Sequence, residues 1–535
     1  MLKKLLVRRA AVLGAGVMGA QIAAHLANAG VDVLLFDLPA KQGDPNGIVL
    51  KAIANLAKLS PAPLALKDRA ASIVPANYDQ HLELLQGCDL IVEAIAERLD
   101  WKKDLYAKIA PHVAPTAVLA SNTSGLSINA LADVLDEALH ERFCGLHFFN
   151  PPRYMHLAEL IPCRKTSPEV LDALETFLTS TLGKGVVRAK DTPNFIGNRI
   201  GVFSMLSTMH HTGAFDLGFD TVDALTGPAI GRPKSATYRT ADVVGLDTMA
   251  HVIQTMADTL SDDPWHKYFA VPDLLKALIA QGALGQKTGA GIYRKLGKDI
   301  EVLDVATKGY RVSGGEVAPE VAEMLKIRNP AEQFAALRAS AHPQAQFLWA
   351  IFRDLFHYSA YHLASIADTA RDVDFAIRWG YGWKLGPFET WQAAGWKQVA
   401  GWIAEDIAAG KTMSNAPLPA WALDGRDGVH GKDGSYSPAR NASLPRSTLP
   451  VYKRQRFPDP LLGEKFAPGE TVFETDAVRM WHDGDGIAVI GFKTKMHTVN
   501  DGVLAGIQQA VGVAEKDFQG LVIWQSFSEI GRAHV

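Results

Sequence analysis

Residues 8 to 37, RRAAVLGAGVMGAQIAAHLANAGVDVLLFD, constrain the fold more than any other stretch. An apolar run (Ala10–Leu13) enters a glycine turn, and a helical pattern follows through Ile22, Ala23 and Leu26. Gly30 stops that helix, and Val31–Phe36 suits a buried parallel strand. Gly14, Gly16 and Gly19 form G-x-G-x-x-G in this strand–turn–helix setting, with Met18 in the first helical turn. Gly14 permits the tight turn, Gly16 lets backbone approach a pyrophosphate, and Gly19 allows close helix–strand packing. The helix N-terminus offers free N–H groups and partial positive charge to phosphates. Asp37 ends the second strand, where its carboxylate accepts from the adenosine ribose hydroxyls. That favours NAD over NADP, because the carboxylate repels a 2′-phosphate and no Arg follows; Leu38 and Pro39 come next.

Further strand candidates lie at Asp89–Glu93, Ala117–Ala120 and Arg142–Phe148, with helical segments between. Alternating strands and helices predict a parallel sheet covered on both faces. From about Asp191 the pattern turns helical and continues to about residue 280, ending in the glycine-rich QKTGAGIY (286–293). A second helical block begins around Gln346, and its DVDFAIRWGYGWKLGPFETWQAAGW echoes DTVDALTGPAIGRPKSATYRTADVVGLD at 220–247. Each copy has an Asp-rich helix start, spaced glycines, a Gly-Pro or Arg-Pro turn and a short helix ending in glycine. This reads as an internal repeat.

At 535 residues the chain is long enough for three or four domains. Lys+Arg total 54 against Asp+Glu 57, a balance that argues against nucleic acid as the main partner. Cys88, Cys144 and Cys163 have no metal-ligand spacing and are too few for a disulfide framework, so a reducing cytoplasm is the simplest home. Lys3 and Lys4 precede an apolar stretch, but Arg8, Arg9, Gln21, His25 and Asn28 break any signal-peptide pattern. No apolar run of membrane-spanning length occurs.

GLHFFNPPRYMHLAELIP (145–162) carries the chemistry. His147 falls at the end of a predicted strand, on the side where open α/β sheets bind ligands. Glu159 sits inside LAELI, where a carboxylate is out of place without a partner. One turn can join the two. A carboxylate fixes the imidazole tautomer and stabilises the imidazolium, which is what a base for alcohol oxidation requires. Taken alone, a His at a strand end is more often structural.

The chain resembles the 3-hydroxyacyl-CoA dehydrogenases of fatty-acid β-oxidation. The matching pieces are LGAGVMGAQIA (13–23), DLIVEAIAE (89–97), ASNTS (120–124), LHFFNPP (146–152), DTPNFIGNRI (191–200) and QKTGAGIY (286–293), in family order over about residues 8 to 300. The resemblance implies His147 as general base for the 3-hydroxyl proton and Glu159 as its orienting partner. It implies Ser121 hydrogen-bonded to the substrate oxygen, Asn198 near the reacting acyl carbons and Asn150 on the CoA side of the cleft. Glu97 and Lys102, with the backbone near Ala94, are expected on the nicotinamide ribose side of NAD, with Lys287 reaching in from the helical domain. Ser121 and Asn198 also suit a turn and a helix end. Asn194 replaces an expected glycine near the hinge. The implied reaction yields a 3-oxoacyl-CoA, with hydride passing from C3 to NAD.

The expected fold is α/β: a Rossmann-like domain (1–188), a helical domain (189–300), a second helical copy (326–405), a linker or extended loop (406–467) and a partial crotonase-like segment (468–535). The second copy resembles an internal dimer partner, lessening the need for a homodimer, and Trp379, Trp383, Trp391, Trp396 and Trp402 should pack it. The last segment, with GDGIAVIGFKTKMHTVNDGVLAGI and FQGLVIW, is similar to the start of an enoyl-CoA hydratase, so hydratase chemistry is expected to be absent. EIGRAHV at the end resembles translated adapter and suggests a truncated fragment. Two other readings stay open here: a dehydrogenase for a small hydroxy acid without CoA, and a non-catalytic NAD-binding protein. Lys51 and Lys58 suit CoA phosphates or a solvated helix face equally.

Overall fold

The computed structural model describes residues 5–455, 458–464 and 469–525. Lys3, Lys4, Arg456 and the EIGRAHV ending lie outside the described residues. The chain divides into two units, Met1–Val451 and Tyr452–Val535.

The first unit opens with one eight-stranded sheet: β1 (Arg9–Leu13), β2 (Asp32–Asp37), β3 (Ile73–Asn77), β4 (Leu90–Glu93), β5 (Val118–Ser121), β6 (Phe143–Phe148), β7 (Leu157–Pro162) and β8 (Gly185–Arg188). Their spatial order is β3-β2-β1-β4-β5-β6-β7-β8. Helices α1 (Val17–Asn28), α2 (Gly47–Leu56), α3 (Leu99–Ile109), α4 (Ile128–Ala132) and α5 (Pro168–Ser180) connect them. The central strands are near-continuous apolar runs because helices cover both faces. Strand order reverses beside β1, which opens a crevice between the loops after β1 and β4.

The alternation predicts a parallel sheet, but β7 runs antiparallel to β6. Only twelve residues separate His147 from Glu159, too few for a helical crossover, so the chain turns straight back. Strands β3 and β8 also went unread; each is short, and Pro75 interrupts the β3 pattern.

The helical part contains α6 (Gly197–Ala214), α7 (Phe219–Leu225), α8 (Tyr238–Val244), α9 (Leu246–Thr259) and α10 (Asp273–Ala280). It is not all-α. The segment from residue 293 onward folds as an antiparallel sheet of β9 (Tyr293–Leu296), β10 (Asp299–Leu303) and β11 (Tyr310–Val312). Helices α11 (Pro319–Leu325) and α12 (Pro330–Ala339) lead to the second copy: α13 (Pro343–Ile366), α14 (Ala370–Tyr381), α15 (Pro387–Ala393) and α16 (Trp396–Ala408).

The repeat has a physical basis. Asp223 in α7 accepts from the N–H groups of Thr237, Tyr238 and Arg239, so it caps α8. Asp374 in α14 accepts from Phe388 N and Glu389 N at the start of α15. A left-handed glycine lies between each Asp and its helix, Gly231 at φ 76° and Gly382 at φ 68°. Each buried Asp answers orphan helix donors. The two copies meet where α6 packs on α13: Phe203 stacks on Tyr358 at 3.7 Å, and Arg199 Nε donates to the Tyr358 hydroxyl. Trp391 and Trp396 stack at 4.0 Å inside the second copy, in the packing role expected of them.

The expected linker is largely folded structure. Met413 N donates to Asp354, His357 bonds Ala416 O, and Trp396 Nε1 donates to Ala422 O. β12 (His430–Gly431), β13 (Gly434–Ser437) and β14 (Ala442–Leu444) form a small sheet. Buried His430 bridges Ser435 Oγ at 2.8 Å and Asp374 at 2.6 Å. Gly, Pro and Ser here shape tight turns pinned to the helices, and composition alone does not separate that from a loose tether.

The chain continues through α17 (Pro450–Lys453). In the second unit, β15 (Glu470–Glu474), β16 (Val478–His482), β17 (Ile487–Phe492) and β18 (Gly520–Trp524) make a sheet crossed by α18 (Asp501–Asp517). The expected β16–β17 hairpin, the helix and the strand are all present. Its core joins Val478, Met480, Ile490, Val503 and Ala510.

Candidate active site

The glycine turn has the geometry its spacing implies. Gly14 sits at φ 106°, and a Cβ there would lie 2.7 Å from Ala94 O. A Cβ on Gly19 would lie 1.8 Å from Gly14 O, so only glycine lets α1 close on the turn. Gly16 faces open space within 4 Å, a cradle for a ligand phosphate. Asp37 braces the turn, accepting from Ala15 N at 2.7 Å with one oxygen and from Leu38 N with the other. Met18 packs partly buried behind it, and Ala94 N ties β4 to Leu13 O.

Across the sheet, His147 and Glu159 stand opposite each other in the β6–β7 register. His147 Nδ1 lies 2.7 Å from Glu159 Oε2. The carboxylate accepts, so neutral His147 carries its proton on Nδ1 and presents the Nε2 lone pair, which has no partner among the described residues. The other Glu159 oxygen accepts from Ile196 N at 3.0 Å and Gly197 N at 2.8 Å, at the start of α6. Thus one fully buried carboxylate is satisfied on both sides and joins the sheet to the helical part. Phe149 and Phe195 flank the His147 ring at 4.5 and 5.7 Å.

Family models match both parts of this arrangement: the 3-hydroxyacyl-CoA dehydrogenase NAD-binding domain over residues 9–192 and the C-terminal domain of the same family over 195–295. This chain belongs to the 3-hydroxyacyl-CoA dehydrogenase family. A Deinococcus radiodurans relative, described as a probable 3-hydroxyacyl-CoA dehydrogenase, is 45% identical over 54% of this chain and 83% of its own length. A Bacillus subtilis relative with the same description is 35% identical over 97% of this chain and 66% of its own. The chain therefore spans about two thirds of that relative. The crystal structure of 3-hydroxybutyryl-CoA dehydrogenase from Escherichia coli K12 shares the fold, with TM-score 0.58 and 24% identity over 78% of this chain and 98% of that one. Members of the 3-hydroxyacyl-CoA dehydrogenase family are oxidoreductases that use NAD, and the open Gly16 cradle beside Asp37 fits that cofactor.

Within this dehydrogenase frame, several expected residues take different partners. Ser121 is fully buried and donates to Glu93 Oε2 at 2.6 Å, so its proton is committed inside the protein and not aimed at a substrate oxygen. Lys102 is equally buried, with Nζ 2.7 and 2.8 Å from the two Glu93 oxygens and 3.6 Å from Glu97. Glu97 accepts from Thr123 Oγ1, Ser124 N and Gly125 N. Burial alone would push its carboxyl up, but the Lys102 ammonium and those donors outweigh it and hold it below the usual glutamate range. Asn150 accepts from Gln21 Nε2 at 3.2 Å, which sets it against helix α1. Lys287 is paired with Asp247 at 2.5 Å on the first turn of α9, and no described contact carries it to the glycine turn. Asn198 lies on the first turn of α6, beside the N–H groups held by Glu159. Lys51 and Lys58 are exposed.

The missed residue is Glu93. It closes β4 fully buried and accepts from Lys102, Tyr106, Ser121 and Ile95 N. Its signal was the same as that of Glu159, a carboxylate ending an apolar strand. Asn122 was also missed; its Oδ1 accepts from Phe148 N and ties the SNTS loop to the strand carrying His147. Asn194, at φ 62°, occupies the left-handed region that its expected glycine would favour, and Asn is among the side chains that tolerate it best.

Proposed function

We propose that the chain oxidises the 3-hydroxyl of an (S)-3-hydroxyacyl-CoA, with His147 as general base. The observation that carries this reading is the 2.7 Å His147–Glu159 pair, whose tautomer leaves Nε2 free to take the hydroxyl proton. Glu159 then stabilises the imidazolium and holds the ring's orientation. NAD, when bound, supplies the hydride acceptor. Gly14, Gly16, Met18 and Gly19 form its pyrophosphate turn, Asp37 takes the ribose hydroxyls, and Ala94, Glu97 and Asn150 line the crevice towards the reacting end. Lys102 acts from below, neutralising Glu93 and Glu97, and Lys287 closes the edge of the helical part. Asn198, anchored with the start of α6, positions the acyl carbons. Ser124, partly exposed on the Glu97 loop with its hydroxyl 3.4 Å from Glu97 Oε1, stands beside Ser121 for the substrate-facing role. Phe149 and Phe195 exclude water around the base, which sharpens its electrostatics.

The second unit is read as the opening of a crotonase-like domain, supported by its hairpin–helix–strand order. The α6–α13 contact serves in place of a subunit interface, and the three buried free thiols suit a reducing cytoplasm.

The test is NADH consumption with acetoacetyl-CoA against free acetoacetate, for the wild-type chain and His147→Ala. Turnover confined to the CoA substrate, and lost in the variant with NAD still bound, is the expected result. Equal activity in both proteins would sink the role of His147; preference for the free acid would sink the CoA assignment.

A further inference from the structure

The second helical copy holds a cavity of about 380 Å³ between α12, α13 and α16, away from the His147–Glu159 pair. That volume lies towards the small end of ligand sites, roughly 300–1,000 Å³. Arg338, Arg353, Lys411, Trp349, Trp402 and Asp406 line it. Three cations and Asp406 line it, and Glu405 and Asp354 pair with two of those cations.

Those charges are unevenly satisfied. Asp406 is spoken for: Trp349 Nε1 donates to it at 2.8 Å and Arg353 Nη1 at 3.3 Å. Arg353 is 4% exposed, its Nη2 donates to Asp354, and its Nε is buried without any hydrogen bond. Lys411 is exposed and has no ion pair among the described residues. Arg338 pairs at 2.6 Å with Glu405, whose side chain is 66% exposed, and lies 3.8 Å from Asp406. Such a surface pair is worth little and yields readily to a competing anion. The Arg338 guanidinium is already positioned, 5.0 Å from the Trp402 ring centre and 6.0 Å from that of Trp349, with the two indoles perpendicular. Held against two rings, it loses little freedom on binding.

We propose that this cavity binds a small multivalent anion bearing phosphate or carboxylate groups. Arg338 and Lys411 contact it from the rim, and the indoles form the walls.

The experiment is calorimetric titration of the full chain, saturated with NAD, with inorganic pyrophosphate and separately with citrate. Neither probe carries adenine, and saturation with NAD blocks the glycine turn. The expected result is one site per chain for at least one probe, weakened about tenfold or more in Arg338→Gln/Lys411→Gln, with NAD affinity unchanged. Binding to pyrophosphate alone assigns phosphate chemistry, and binding to citrate alone assigns carboxylate chemistry. No binding of either probe, or binding that the double variant leaves intact, overturns the site. Because neither residue belongs to the dehydrogenase machinery, failure here leaves the proposed activity standing.

Discussion

Glu159 shows how one side chain can carry two tasks. Its Oε1 faces two backbone N–H groups and its Oε2 faces His147 Nδ1. Glu159→Gln keeps the shape but divides those tasks. With the amide oxygen towards Ile196 and Gly197, the NH₂ group donates to Nδ1, moves the imidazole proton to Nε2 and removes the base. We expect kcat to fall by about 10²–10⁴ while NAD affinity holds, read by steady-state kinetics and cofactor titration. The glycines provide a second contrast. Gly16→Ala meets no protein atom, so the fold should survive while NAD affinity drops roughly tenfold. Gly19→Ala puts a methyl into Gly14 O and should destabilise the domain by about 1–3 kcal/mol or more, measured by urea unfolding. The reverse ranking of the two variants would mean that the open cradle does not receive the phosphates.

At the scale of elements, each helical copy depends on a buried Asp that caps the next short helix. Asp374 also receives His430 from the packed segment after α16, as Asp223 receives the Tyr293 hydroxyl from β9. Asp374→Ala should therefore cost about 2–4 kcal/mol, from lost capping and an orphaned buried imidazole. Protease cleavage between residues 411 and 449 should accelerate in the same variant. Unaltered cleavage there would mean that His430 does not hold this segment down.

Over the whole first unit, Lys184 marks a charge held without a counter-charge. It is 3% exposed and, among the described residues, donates to the carbonyls of Pro152 and Met155 without an ion pair, and burial pulls its ammonium down to about 8. Between pH 8 and the unfolded lysine value, the unfolded chain binds more protons than the folded one. Stability should therefore rise with pH across that window, by up to roughly 3 kcal/mol. Urea midpoints from pH 7.5 to 10 should show this slope in the wild type and lack it in Lys184→Met; matching slopes would remove Lys184 as the cause. The division after Val451 carries another expectation: a chain ending there should keep kcat with acetoacetyl-CoA within about twofold, because every proposed site residue precedes it.

Local chemistry made the cofactor turn legible in the sequence. Glycine spacing, a flanking strand and Asp37 report backbone geometry within thirty residues, and tertiary context has little freedom to change it. The His147–Glu159 pair was legible for a similar reason: a buried carboxylate a short turn from a histidine needs a partner. The partners of Ser121, Lys102 and Asn150 were not, because each depends on which distant strand or helix packs alongside. Glu93 draws Ser121 and Lys102 inward from separate elements, and Gln21 sets Asn150 against α1. The segment after residue 410 teaches the same distinction. Its turn residues indicate where the chain bends, but only the packed helices decide that those bends are buried. The sequence by itself determined the cofactor fold, the family and the His147–Glu159 pairing. Tertiary structure alone decided which polar side chains face the cleft and which are consumed within the protein, since a polar group's role follows from the partners that burial leaves it.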